Sequence, residues 1–123
     1  MSEKTPKMAV ILSRGIDDER TAVALTIANV GLSEGVEVTL FLVSAGVDVV
    51  RKGAADLMRM NPLDPSLGEM LESLQANGGQ IWSCPPCTSV RGYEDGDLIE
   101  GVEIKGAVAL HDLIKSGAST VCF

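Results

Sequence analysis

Apolar runs alternate with amphipathic stretches in the first half of the chain, a pattern that predicts strands separated by helices. The mostly apolar run from Lys7 to Leu12 is typical of a strand buried on both faces. A second run, Val36 to Val43, alternates at first and is then apolar throughout, which favours a central place in a parallel sheet. Between them, apolar positions at helical spacing predict a helix that begins at Asp17 or Asp18 and ends near Ser33.

The second half continues the same alternation in shorter pieces. The predicted helices run from about Ser66 to Gln75 and from Ala107 to Lys115, with a short helical segment at Val47 to Lys52 and a helix or turn at Thr88 to Tyr93. The predicted extended segments are a strand at Gln80 to Ser83, a piece at Gly101 to Gly106 and a last strand from Ser119. Residues Ala54 to Pro65 are predicted to form an irregular loop. Repeated strand and helix units indicate one α/β domain over residues 1–123, with a mainly parallel sheet and helices on both faces.

Composition and charge narrow the classes of partner. The net charge is −7, and the ten Lys and Arg residues are scattered, so nucleic acid is not an expected partner. Hydrophobic residues make up 46% of the 123 residues but aromatic residues only 3%, and mean hydropathy is +0.23, which suggests that another subunit covers part of the apolar surface. The polar segment Met1 to Lys7 does not resemble a signal peptide, and no run is long enough to span a membrane. We therefore expect a cytoplasmic protein.

Two thiols follow the predicted Gln80 to Ser83 strand, at Cys84 and Cys87. Ligands and catalytic groups of open parallel sheets gather beyond the carboxyl ends of the strands. Three loops are expected there, and only the last of them carries a nucleophile: Ser13 to Asp17, Ser44 to Gly46 and Cys84 to Arg91. The intervening Pro85 and Pro86 stiffen the segment and remove two backbone donors. If a helix begins here, a sulfur at its start is expected to have a lowered pKa and to be reactive as a thiolate.

Other candidate residues carry weaker signals. Arg91 follows Cys84 by seven residues and is a candidate for stabilising its thiolate or for binding an anionic sulfur group. Cys122 stands in an apolar strand and is expected to pack as a buried side chain, and the lone His111 is expected to be a helix residue without a catalytic role. Zinc requires four ligands that this chain does not supply, so we expect neither a metal nor a cofactor.

The motifs together resemble the DsrE/DsrF-like sulfur-relay family, which includes the TusD-type subunits. The resemblance is carried by Gly15-Ile16-Asp17-Asp18 after the first strand, Gly46-Val47 after the second, Cys84 followed by Arg91-Gly92, and the closing Val121-Cys122-Phe123. It implies a three-layer α/β/α subunit with about five strands that assembles into trimers or hexamers. It also implies that Cys84, at the family's sulfur-carrying position, holds sulfur as a persulfide passed between donor and acceptor proteins. Cys87 is an addition to the single-cysteine pattern of the best-known relay subunits.

Three functions remain open from the sequence. The first is a persulfide carrier, or sulfurtransferase, that acts through a thiolate at Cys84. The second is a dithiol oxidoreductase that uses Cys84 and Cys87, since Trp82-Ser83-Cys84-Pro85-Pro86-Cys87 is reminiscent of a thioredoxin-type motif. The third is an oligomeric binding module without catalytic activity, suggested by the apolar balance of the chain.

Overall fold

A computed structural model describes residues 5–123, so the first four residues of the predicted domain, and with them most of its polar N-terminal segment, lie outside the described residues. One five-stranded sheet organises the fold, with the strand order β4-β3-β2-β1-β5 and every neighbouring pair parallel. The strands are β1 (Lys7–Leu12), β2 (Glu37–Leu42), β3 (Gln80–Ser83), β4 (Val102–Ile104) and β5 (Ser119–Cys122). The predicted parallel α/β sheet is confirmed.

Four α-helices connect these strands: α1 (Glu19–Ser33), α2 (Leu67–Ala76), α3 (Pro85–Val90) and α4 (Ala107–Lys115). Helix α1 begins after Asp18, the predicted cap, whose side chain accepts the N–H of Arg20. A side-chain hydrogen bond from the Arg20 guanidinium lowers the pKa of Asp18 to about 2, so this cap stays charged. Two 3₁₀ helices, Ser44–Val50 and Asp95–Asp97, complete the elements.

The direction of each crossover assigns the helices to the two faces of the sheet. From β1 to β2 and from β2 to β3 the chain moves toward one edge, whereas from β4 to β5 it returns across the whole sheet. Because crossovers between parallel strands are right-handed, α1 and α2 share one face and α4 crosses the other. The subunit is therefore a three-layer α/β/α domain.

The main core lies between the sheet and the pair α1 and α2. Its buried side chains share one face of the strands and the inner faces of the two helices; they include Val10, Leu12, Leu40, Leu42, Ile81, Leu25, Ala28, Leu71 and Leu74. The register places Val10, Leu40 and Ile81 in one row across β1, β2 and β3. The packing of this row stabilises the three central strands against one another. Because the strands are parallel, their carboxyl ends lie together at one edge of the sheet.

The opposite face carries Phe41 and Trp82, adjacent in the register of β2 and β3. Their rings meet edge to face with centroids 6.3 Å apart, and the Lys105 ammonium lies 5.0 Å from the centre of the indole. Helix α4 covers this face only partly, since none of its nine residues is buried. Much of the apolar side of α4 therefore remains accessible in the single subunit.

The predicted burial of Cys122 is wrong. Cys122 is exposed, because it lies on the edge strand β5 and on the face that α4 leaves partly open, beside Ile11 of β1. An apolar stretch of sequence does not reveal that its strand stands at the edge of the sheet. Experiments that follow a single thiol of this protein need Cys122 replaced by serine.

Most element bounds agree with the pattern of the sequence. Helix α4 occupies the predicted residues, and the predicted irregular loop at 54–65 contains neither helix nor strand. The helix or turn predicted at Thr88 to Tyr93 is a helix that begins earlier, at Pro85. Proline suits the first turn of a helix, because its missing N–H leaves no hydrogen bond unmade there. Within residues 5–123, no helix combines the length and the apolar character needed to cross a membrane.

Candidate functional site

Cys84 and Cys87 lie at the junction of β3 and α3, on the predicted edge of the sheet. Cys84 is the N-cap residue of α3, with extended backbone angles, and Cys87 is the third residue of that helix. The Cys84 N–H donates to the carbonyl oxygen of Leu42 at 2.9 Å and extends the pairing of β3 with β2 by one residue. Both thiols are reduced and partly accessible, so a reagent from solution can reach them.

Hydrogen bonds beneath the thiols fix the start of α3. The buried Thr88 hydroxyl lies 2.6 Å from the Cys84 carbonyl oxygen and 2.6 Å from the Ser83 hydroxyl. The Thr88 N–H donates to the same Cys84 carbonyl at 3.0 Å. Because the last residue of β3 and the first turn of α3 share these contacts, the two sulfurs are held on one rigid corner.

The environment of Cys84 opposes ionisation. Burial raises the pKa of Cys84 above its ordinary value, the neighbouring N–H of Cys87 opposes that rise, and a hydrogen bond and charge repulsion with the Cys87 thiol add to it. The lowered pKa predicted for a sulfur at this helix start is therefore wrong for Cys84. Two of the first three helical residues are prolines, so most of the amide donors that stabilise a thiolate at a helix start are missing here.

The Cys87 sulfur receives a donor from a distant segment of the chain. The backbone N–H of Ser44, which follows β2, donates to Cys87 Sγ at 3.1 Å. Ser44 has φ of 52°, which makes it the one residue other than glycine with positive φ in the described part of the chain. That conformation costs on the order of 1 kcal/mol for a residue with a Cβ atom. The strain coincides with a contact to a candidate nucleophile.

Gly46 holds the Ser44 loop close to β1. A Cβ atom at residue 46 would collide with the carbonyl oxygen of Leu12, so only glycine fits at this position without movement of the backbone. The Val43 N–H donates to that same carbonyl at 3.0 Å, and the Gly46 N–H donates to the Val43 carbonyl at 2.9 Å. These contacts fix the direction of the Ser44 N–H through the backbone of the central strands.

Arg91 supports the turn that carries Cys87. Its Nε lies 3.3 Å from Asp48 Oδ1, and its Nη1 donates to the Cys87 carbonyl oxygen at 3.2 Å. Tyr93 donates its hydroxyl to the same Asp48 oxygen at 2.5 Å, a hydrogen bond that, with burial, raises the pKa of Tyr93. The guanidinium therefore pairs with a carboxylate and a backbone carbonyl. These two partners occupy the guanidinium in place of a sulfur, and the binding of an anionic sulfur group by Arg91 stays a prediction.

A hollow of about 490 Å³ adjoins the other side of the Ser44 loop. Its lining includes Gly15, Ala45, Asp48, Arg51 and Tyr93, but neither cysteine. The hollow thus shares Asp48 and Tyr93 with the network that supports α3. The loops after β1 and β2 therefore lie close to the start of α3, as expected for the carboxyl edge of a parallel sheet.

Sequence reasoning missed three participants in this site: Ser44, Asp48 and Tyr93. The loop at Ser44 was among the three expected at this edge, but serine in that position gave no sign of a positive φ or of a donor aimed at a thiol. Within residues 5–123, no group of three or more His, Cys, Asp or Glu side chains is arranged to hold a metal ion.

The fold and the site define a class: a small α/β protein that presents two thiols at the carboxyl edge of a parallel sheet. The model of the DsrE/DsrF-like family matches residues 6–123. The chain belongs to this family, as the resemblance predicted.

Two relatives match most of the chain in sequence, and two solved structures share its fold. The chain is 37% identical over 106 residues to the uncharacterized protein MK0008 of Methanopyrus kandleri, covering 85% of this chain and 80% of that one. It is 36% identical over 110 residues to the uncharacterized protein MJ0989 of Methanocaldococcus jannaschii, covering 88% and 89% respectively. The ychN protein from E. coli superposes with a TM-score of 0.79 at 24% identity, over 98% of this chain and 100% of that one. MTH1491 from Methanobacterium thermoautotrophicum superposes with a TM-score of 0.74 at 19% identity, over 96% and 99%. The two superpositions establish the fold.

Proposed function

We propose that this protein is a persulfide carrier that accepts sulfur on the thiol pair of Cys84 and Cys87 and passes it to an acceptor thiol. The observation that carries the proposal is the pairing of two accessible, reduced thiols on one rigid corner, with a backbone N–H directed at one of the sulfurs. Membership of the DsrE/DsrF-like family, whose sulfur-relay members hold persulfides, supports the same chemistry.

The transfer needs no redox cofactor. A thiolate of the pair attacks the outer sulfur of a donor persulfide, a new S–S bond forms, and the donor's own S–S bond breaks. The donor leaves as a thiolate and takes up a proton. In the second step an acceptor thiolate attacks the outer sulfur now held here, and the carrier thiolate is regenerated. The sequence predicts Cys84 as the carrier, and the experiment below follows both thiols.

The first test is the mass of the intact protein after exposure to a small alkyl persulfide. On a Cys122→Ser background, we expect the protein to gain one sulfur atom, about 32 Da, and to lose it on treatment with excess thiol. The matched control carries Cys84→Ser and Cys87→Ser as well, and we expect it to gain nothing. Equal labelling of both proteins, or of neither, contradicts the proposal.

A dithiol oxidoreductase remains the second candidate, because both thiols lie within one turn at the start of α3. This function requires a reversible disulfide between Cys84 and Cys87, with two electrons exchanged per cycle. A redox titration that finds a reversible loss of both thiols, together with no gain of sulfur from the persulfide, favours this candidate over the carrier.

The proposed carrier works as a homo-oligomer, a trimer or hexamer, that meets separate donor and acceptor proteins. Helix α4 supports the assembly, since it has no buried residue in the single subunit and its Val108 side chain is 79% exposed. Ile104 on the adjoining edge strand and Ile114 at the end of α4 are also exposed. Apolar side chains exposed on a helix that covers its sheet only partly are typical of an interface between subunits.

Replacing Val108 with aspartate is expected to weaken the assembly, because a charge would enter an apolar contact without a partner. In light scattering we expect the wild-type protein at a multiple of its 12.9 kDa subunit mass and the variant at or near that mass. Ser73→Asp, at an exposed position on α2, is the matched control and should keep the wild-type mass. A wild-type protein that is itself a monomer rules out the proposed assembly.

A further inference from the structure

The two thiols differ in what surrounds their sulfurs. Cys87 Sγ accepts the Ser44 N–H at 3.1 Å, a contact across 43 residues of sequence. The Cys84 side chain, at the N-cap of α3, makes no capping hydrogen bond, and burial outweighs the Cys87 N–H that favours its ionisation. The two following residues are prolines without an N–H, so the start of α3 offers little to a negative charge there.

Hydrogen bonding to a charged sulfur favours the charged form, and a donor that is already in place costs no reorganisation during the reaction. The Ser44 N–H satisfies this condition, because Val43 and Gly46 bind the same backbone segment to Leu12 of β1. Ser44 also keeps an unfavourable positive φ while it makes the contact. The Arg91 guanidinium donates to the Cys87 carbonyl oxygen and so holds the turn that carries the Cys87 sulfur in place.

From these contacts we propose that Cys87, with the Ser44 N–H as donor to its sulfur, is the thiolate that first accepts sulfur, and that Cys84 is the second thiol of the pair. This division of roles rests on the proposed persulfide chemistry and refines it, since the sequence alone assigned the first step to Cys84. The Cys87 thiolate attacks the outer sulfur of the donor persulfide, forming Cys87–S–SH while the donor departs as a thiolate.

Cys84 then provides a second route of release. Its thiolate attacks Cys87 Sγ, the inner sulfur of the persulfide, so that a Cys84–Cys87 disulfide forms and the outer sulfur departs as hydrosulfide. The dithiol supplies the two electrons that reduce this sulfur. Two equivalents of an external thiol are needed to reduce the disulfide before the protein can accept sulfur again. Turnover by this route is therefore slower than by direct transfer to an acceptor thiol, which regenerates the carrier thiolate at once.

Rates of alkylation separate the two thiols directly. On the Cys122→Ser background, Cys84→Ser leaves Cys87 as the single thiol, and Cys87→Ser leaves Cys84. At neutral pH we expect iodoacetamide to modify Cys87 at least about tenfold faster than Cys84, because the thiolate is the reacting form. In the Cys122→Ser protein with both thiols present, peptide mapping at low modification should find the label on Cys87, and this measurement does not depend on either serine variant folding. A faster Cys84 in these measurements overturns the proposal.

The amide signal of Ser44 reports the contact itself. In the ¹⁵N-labelled protein with Cys87 as its single thiol, we expect the Ser44 amide proton to move downfield as the thiol ionises. In the protein with Cys84 as its single thiol, the same signal should stay in place over the same pH range. A Ser44 signal that ignores the ionisation of Cys87 overturns the proposed donor.

Sulfur loading keeps this inference separate from the carrier function. If the Cys87→Ser protein gains sulfur as fast as the Cys84→Ser protein, the assignment of roles fails and the carrier function stands. If no protein with an intact thiol pair gains sulfur, but Cys87 is the faster thiol and the Ser44 signal follows it, the carrier function fails and the difference between the thiols stands.

Discussion

Replacing Gly46 with alanine is expected to destabilise the protein by about 3 kcal/mol, through overpacking against backbone that cannot move aside. The added Cβ atom would collide with the Leu12 carbonyl oxygen, which already accepts the Val43 N–H within the central pair of strands. Thermal unfolding should show a midpoint roughly 10 °C below that of the wild type.

Gly96→Ala is the matched control for this substitution. Gly96 has no atom within 4 Å of its would-be Cβ and no positive φ, so its replacement should change stability by less than about 0.5 kcal/mol. Where the Gly46→Ala protein remains folded, relief of the collision moves the loop and separates the Ser44 N–H from Cys87 Sγ. Its Cys87 should then react more slowly with iodoacetamide. Equal stability of the two alanine variants contradicts the close approach of the Gly46 loop to β1.

Removing the indole of Trp82 is expected to have the second large effect. Trp82 is 5% exposed, contacts the Phe41 ring edge to face and lies beneath the Lys105 ammonium. Trp82→Ala leaves a cavity on the face of the sheet that α4 covers only thinly, and we expect a loss of about 3 to 5 kcal/mol in the free energy of unfolding. Denaturant titration of the reduced protein measures this loss.

Two comparisons show whether the loss arises from the buried ring. Trp82→Phe keeps an aromatic ring beside Phe41 and should cost less than half as much as Trp82→Ala. Val90→Ala removes apolar atoms from a side chain that is 79% exposed and should cost less than about 0.5 kcal/mol. If Trp82→Ala is no more destabilising than Val90→Ala, Trp82 is not part of the packed interior.

Much of the architecture follows from local patterns that the sequence displays. The cap at Asp18, the helix at Ala107–Lys115 and the strand at Lys7–Leu12 depend on neighbouring residues or on a short apolar period, and each was predictable. The strand before Cys84 was predictable for the same reason, and with it the placement of the thiols at the carboxyl edge of the sheet.

The electrostatics of the site were not predictable, because they depend on contacts between distant segments. Burial governs Cys84 and raises its pKa, whereas the sequence around it indicated only a helix start. The Ser44 N–H reaches Cys87 because β2 and β3 are neighbours in the sheet, and Arg91 turns to Asp48 instead of to a sulfur. The exposure of Cys122 likewise depends on β5 being an edge strand, which only the strand order reveals.

The most direct test of the proposed chemistry is where sulfur first appears on the protein. After brief exposure of the Cys122→Ser protein to a small alkyl persulfide, the proposed function predicts one added sulfur per chain, about 32 Da, within the peptide that contains Cys84 and Cys87. If Cys87 is the first acceptor, that sulfur is on Cys87. Sulfur that never appears in this peptide, while iodoacetamide alkylates its thiols readily, contradicts the proposed function.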